Sequence, residues 1–188
     1  MYKICHTEES SRRQRELEAG LLRAMQAQPF EKITLTELCR ELGIPRKSFY
    51  RYFPTREDCL LALLDHTLSD CNTIALMGWE GGRDLSRKNL EQFFSYWQGQ
   101  KAFLDAVQSN HLGYLLLERT TGIVDSMVKN QIPESFAQGQ VEYFIAHGLM
   151  LSVMRWHAHG FPGSVEEMSD VFSRVLCSPD ISITKLLL

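Results

Sequence analysis

Arg46, Lys47, Ser48, Tyr50 and Arg51 fall within six consecutive positions, broken only by Phe49 and followed by Tyr52 and Phe53. Guanidinium and ammonium groups attract phosphate, and with hydroxyls beside them they also present donors to the edges of bases. Phe49 and Phe53, four apart, would draw one side of a helix inward and leave the cationic side outside. The chemistry these types and spacings permit is the grip of a polyanion. The surface that suits a short basic helix is the major groove of double-stranded DNA. Arg56 adds a second signal. A cation in a helix's first turn opposes the helix dipole, and a phosphate bound there would correct the sign.

The elements that must position these residues can be read from local rules. Thr34 followed by Glu37 is a capping box, and the run 35–42 places Leu35, Leu38, Cys39 and Leu42 on one apolar face. Gly43 supplies a left-handed stop, and Pro45 sits where a following helix would have its first residue. A second helix therefore starts within about three residues, the spacing of a helix-turn-helix. Pro54 ends it. Thr55 then caps another helix, with Asp58 at the capping-box position.

The segment 33–63 resembles the DNA-binding domain of the tetracycline-repressor (TetR) family. The resemblance is carried by Ile33-Thr34, Leu38-Cys39, Leu42-Gly43-Ile44, the aromatic run Phe49-Tyr50-Arg51-Tyr52-Phe53 and Thr55-Arg56-Glu57. Residues 12–30 fit the family's first helix. Two positions depart from the pattern: Pro45 replaces a small hydroxylated residue, and Cys39 replaces the usual alanine. The resemblance implies an all-α chain, with an N-terminal three-helix helix-turn-helix domain followed by a helical ligand-binding and dimerisation domain. It implies that Arg46, Lys47 and Ser48 face base edges while Thr34, Thr36, Tyr50, Tyr52 and Arg56 hold phosphates. It also implies a homodimer on a palindromic DNA operator, a repressor released by a small-molecule effector.

Composition agrees once it is divided along the chain. The formal charge of the 188 residues is −3, yet the first 58 residues hold 11 Lys+Arg against 9 Asp+Glu and the remainder 9 against 14. Basic excess sits with the helix-turn-helix, an arrangement that orients a molecule toward DNA while limiting non-specific affinity. No apolar run approaches a membrane span, and the first nine residues lack the apolar core of a secretory signal. A cytoplasmic protein with no membrane partner is expected. Cys5, Cys39, Cys59, Cys71 and Cys177 are too scattered for a zinc knuckle or a CxxC pair.

Helical patterns continue to the C-terminal region, giving expected domains at 10–54 and 55–178 and a tail, 179–188, without assignment. The connecting helix from Thr55 to about Leu76 carries Leu60, Leu61, Leu63, Leu64 and Leu68, and the Gly-rich stretch 77–82 breaks it. Ser86 caps a helix through Trp97; further helices are expected at 101–108, 112–129, 136–159 and 164–176, with breaks at Ser109-Asn110 and Pro133. In the helix 136–159, Tyr143, His147, Met150 and Met154 share one face. Val141, Ile145, Gly148, Leu149, Ser152 and Trp156 share the opposite one. Two apolar faces on one helix imply a central helix or a partner subunit. Ile145, Gly148, Leu149, Ser152, Trp156 and Phe172 are the expected dimer interface, pairing with the stripe Met168, Val171, Phe172 and Val175. The stretch 143–167 also resembles a C-terminal domain found in a subset of TetR regulators.

Phe93, Trp97, Phe103, Tyr114, Tyr143, His147 and Met150 are the expected lining of a pocket for a small apolar or aromatic effector, a role inferred chiefly from the family. Two other classes stay open at this point. A helical enzyme is disfavoured because His147, His157 and His159 have no carboxylate at metal-ligand spacing, and no phosphate loop or nucleophile motif is present. No catalytic residue, metal or cofactor is expected. A helix-turn-helix that binds a protein instead of DNA is the third reading.

Overall fold

The computed structural model describes Tyr2, Cys5 and residues 7–76, 86–130 and 136–177. Among these residues all regular structure is helical, as expected: α1 (Glu8–Ala27), a 3-10 turn (Phe30–Lys32), α2 (Leu35–Glu41), α3 (Arg46–Tyr50), α4 (Arg56–Leu76), α5 (Arg87–Gly99), α6 (Lys101–Ser109), α7 (Gly113–Asn130), α8 (Phe136–Ala158) and α9 (Val165–Cys177). The expected breaks at 77–82 and at Pro133, and the tail 179–188, lie outside the described residues. The chain packs as two compact units. The first is Met1–Thr67 with Ala102–Leu112, and the second is Leu68–Lys101 with Gly113–Leu188. The division therefore falls inside α4, and the first unit takes in most of α6 in addition to residues 10–54.

In the first unit, α1 begins four residues earlier than the family resemblance implied. Thr7 is the N-cap, its hydroxyl accepting from the Ser10 N–H at 3.2 Å in a capping box closed by serine instead of glutamate. The helix also stops three residues sooner, because Pro29 forces Gln28 into extended backbone (φ −155°, ψ 159°). Gln14, Leu17, Glu18, Leu21, Ala24 and Met25 form its buried face. Glu18, only 2% exposed, places Oε1 2.8 Å from His66 Nδ1 and so ties α1 to α4. Gly20 lets α1 meet the helix-turn-helix closely, since a Cβ there would overlap the Leu42 side chain. Leu60, Ala62, Leu63 and Leu64 of α4 are buried in turn. Thr55 caps that helix as expected, accepting from the Asp58 N–H at 3.0 Å.

In the second unit, Ser86 caps α5 by accepting from the Asn89 N–H. The buried Phe94 ring packs on Trp156 of α8 and Phe172 of α9, at centroid distances of 5.9 and 5.2 Å. Arg87 of α5 adds an ion pair to Asp170 of α9 at 2.8 Å. Between α8 and α9 the chain turns through Gly160 (φ 77°) and Phe161 (φ 57°), where the Trp156 indole N–H donates to the Pro162 carbonyl at 2.8 Å. The expected capping box Ser164/Glu167 then starts α9.

Candidate nucleic-acid interface

Thr34 caps α2 in the expected capping box with Glu37, whose carboxyl is held below its ordinary range by hydrogen bonds from the Thr34 hydroxyl and N–H. Leu38 and Cys39 turn inward. Gly43 then adopts φ 64°, a backbone state that costs glycine nothing, and the chain reverses into α3. Pro45 is the N-cap of α3 and not its first residue, so the helix proper begins at Arg46. Phe49 and Phe53 are fully buried with ring centroids 5.6 Å apart. That anchor decides what faces outward. Arg46, Lys47, Tyr50 and Arg51 are exposed, Ser48 and Tyr52 half-buried, and Thr34 and Thr36 exposed at the start of α2. Arg46 lies along its own helix, its Nη2 donating to the Tyr50 hydroxyl at 3.1 Å and its guanidinium 5.9 Å from the Tyr50 ring centroid. The two side chains thus form one cationic, hydroxyl-bearing ridge.

Arg56 is held by the chain itself. The guanidinium expected on a phosphate turns inward, with Nη1 donating to the carbonyls of Phe30 (2.9 Å), Glu31 (3.3 Å) and Ile33. It lies 4.6 Å from the Phe30 ring centroid, and Nε pairs with Glu57 at 2.8 Å. These carbonyls lie more than twenty residues upstream, which no local pattern could reveal.

The residues expected around an effector are divided between the two units. Phe103 is buried in the first unit, whereas the other six belong to the second. Tyr114 is 80% exposed. Trp97 and Met150 are buried, and Phe93 packs edge-on against Phe94 and Trp97. Tyr143 and His147 do share the expected face of α8, which packs on α7. The Tyr143 hydroxyl donates to Asp125, a bond that raises its ionisation above the ordinary phenol range. His147 Nδ1 donates to the Tyr143 carbonyl at 2.7 Å, and its Nε2 lies at hydrogen-bond distance, 3.0 Å, from the Thr121 hydroxyl. Met154, on the same face, lies over Gly113, where any Cβ would collide with it. Two cavities lie elsewhere. An open groove of about 530 Å³ runs over Lys88, Glu91, Gln92, Ser95 and Tyr96 of α5, and one of about 190 Å³ in the first unit is lined by Tyr2, Cys5, Ser11, Gln14, Arg15 and His66.

Part of the expected dimer face packs inside the second unit. Leu149 and Trp156 are buried within the unit, Phe172 packs on Phe94, and Ile145 and Ser152 are half-buried. Among the described residues, the large apolar side chains that α8 and α9 leave open are Phe144 (67% exposed), Leu151, Val171 and Val175, with Gly148 between the first two and open space where its Cβ would be. The sequence signal for those on α8 is the 144, 148, 151 spacing, which shares Gly148 with the expected interface.

Cys39, Cys59 and Cys71 are buried. Burial raises all three thiols, Cys71 to about 12. Among the described residues no group of three metal-binding side chains exists, and no helix is long and apolar enough to cross a membrane.

A buried aromatic anchor, a glycine turn and an outward cationic ridge define a helix-turn-helix domain of the DNA-reading class. Residues 19–63 match the family model for bacterial regulatory proteins, tetR family. HTH-type transcriptional regulator EthR of Mycobacterium tuberculosis is 30% identical over 90 residues, which cover 45% of this chain and 42% of that relative. The match thus spans under half of the curated relative's length. Two solved structures share the fold: the dihydroxyacetone kinase operon activator DhaS (15% identity, 90% and 96% of the two chains, TM-score 0.58) and the fatty acid degradation regulator FadR from Bacillus halodurans (12% identity, 88% and 95%, TM-score 0.60).

Proposed function

We propose that this chain is a DNA-binding transcriptional regulator that acts in the cytoplasm as a homodimeric repressor and leaves a palindromic operator when a small molecule binds. The observation that carries the reading is the ridge of Arg46, Lys47 and Tyr50, presented by a helix whose other side is locked by Phe49 and Phe53. Such a ridge serves bases through Arg46, Lys47 and Ser48, and phosphates through Thr34, Thr36, Tyr50 and Tyr52.

The dimer is supported by Phe144 and Leu151 of α8, with Gly148 bare between them in sequence, and by Val171 and Val175 of α9, all apolar residues left open. Two linked recognition helices read half-sites about one DNA turn apart. For the effector, the Tyr143–Asp125 and His147–Thr121 hydrogen bonds offer polar contacts beside an otherwise apolar helix face. A small apolar or aromatic compound with one polar group suits that chemistry. The reading assigns the chain no catalytic step. Selection of bound duplexes from a random pool tests it: two inverted half-sites are the expected consensus, and a failure to enrich any sequence would overturn specific recognition.

A further inference from the structure

The 3-10 turn Phe30–Lys32 joins α1 to α2, and two distant side chains hold its backbone. From one side comes Asn110, just past the end of α6 and only 6% exposed. Its Oδ1 accepts from the Phe30 N–H at 2.5 Å, while Nδ2 donates to the carbonyls of Ala106 (2.8 Å) and Met25 (3.4 Å). An amide can do this because it carries an acceptor and two donors; a carboxylate or an alkyl group of the same size cannot. From the other side comes Arg56, at the first residue of α4, with its charge-assisted bonds to Phe30, Glu31 and Ile33 and its guanidinium over the Phe30 ring. The next residue after Ile33 is Thr34, the N-cap of α2. The turn so held therefore sets where the helix-turn-helix begins.

Both side chains sit on stretches of chain that continue into the second unit. α4 crosses between Thr67 and Leu68, and the stretch 102–112 is entered and left at Lys101 and Gly113. Each of these stretches brings one side chain to the same few backbone groups.

We propose that Arg56 and Asn110 are positioning residues, a two-sided clamp on the Phe30–Ile33 backbone that fixes the entry to α2 and thereby the presentation of α3. Arg56 acts on DNA through this backbone and not as a phosphate ligand. The inference rests on the DNA-binding reading, and its test separates the two.

Arg56→Lys, Arg56→Met and Asn110→Leu are titrated with salt against a duplex pool enriched on the wild-type protein, with Lys47→Ala in parallel and a thermal melt of each variant. A clamp predicts that all three variants bind about ten- to a hundredfold more weakly, with the wild-type salt slope retained. The double variant Arg56→Met/Asn110→Leu should lose less than the product of the single losses, because both act through one turn. A phosphate ligand predicts instead that Arg56→Lys keeps its affinity and Arg56→Met lowers the slope by about one, with Asn110→Leu unchanged; that pattern, with Lys47→Ala impaired, overturns the clamp and leaves the DNA reading intact. Hydrogen exchange decides the matter without DNA. The wild-type Phe30 amide should be strongly protected and should exchange faster in both Asn110→Leu and Arg56→Lys, and an amide exchanging at the rate of an open turn would overturn the clamp. If the wild type enriches no duplex, the function fails while this exchange measurement still judges the clamp.

Discussion

Lys47 and Arg56 are both cations within the DNA-binding segment, yet their surroundings assign them opposite tasks. Lys47 is exposed on α3, whereas Arg56 spends its donors on three carbonyls. The sequence made the first legible, since Phe49 and Phe53 fix the helix phase from within a few residues. The acceptors that hold the second were not legible, because the argument from helix dipole and charge sign is local and those carbonyls are not. Arg46→Ala or Lys47→Ala should cost about 1–3 kcal/mol at particular base pairs, read as a loss of discrimination in a mismatch series. The cysteines give an independent check of the core. With Cys39, Cys59 and Cys71 buried and their thiols raised by burial, the reactive thiolate is scarce at neutral pH. A thiol reagent at pH 8 should leave all three unmodified in the native protein and label them once denaturant is added, as peptide mass mapping would record.

At the scale of elements, most boundaries follow from caps visible in the sequence: Thr34/Glu37, Thr55/Asp58, Ser164/Glu167 and Gly43 all act as expected. The Thr7/Ser10 box was illegible because serine seldom closes such a box. The buried stripe of α8 was illegible for a different reason. With apolar residues almost all round, its periodicity does not say which side packs within the unit, and the contact of Trp156 with Phe94 of α5 is one no local pattern could reveal. Thr34→Ala should destabilise the protein by about 1 kcal/mol in urea melts. The Glu37 carboxyl of the same box is held below its unfolded value, so its contribution is complete above the ordinary glutamate range and is lost as pH falls through the lower folded value. A wild-type minus Glu37→Gln stability difference should accordingly shrink on acidification. Gly148→Arg or Phe144→Glu should yield monomers by sedimentation without loss of helix content, and a dimer that persists in both would place the interface elsewhere.

For the whole molecule, the all-helical fold and the split of charge between a basic N-terminal and an acidic C-terminal part were legible, because both are sums over many residues. The membership of 102–112 in the first unit was not. It depends on Asn110 meeting backbone groups some eighty residues away. If the second unit regulates the first, linkage makes the coupling reciprocal. An effector that weakens operator binding by roughly 5- to 150-fold must itself be weakened by operator to the same extent, which calorimetry with and without DNA would check. Beneath all of this lies one claim, that the α3 ridge grips DNA. Duplex affinity measured across a salt series addresses it most directly. The account predicts a steep linear fall of log K with log salt for the wild type, as phosphate contacts release counterions, and weaker binding by Lys47→Ala at every salt. Affinity indifferent to salt, with Arg46→Ala and Lys47→Ala binding as the wild type does, would contradict it.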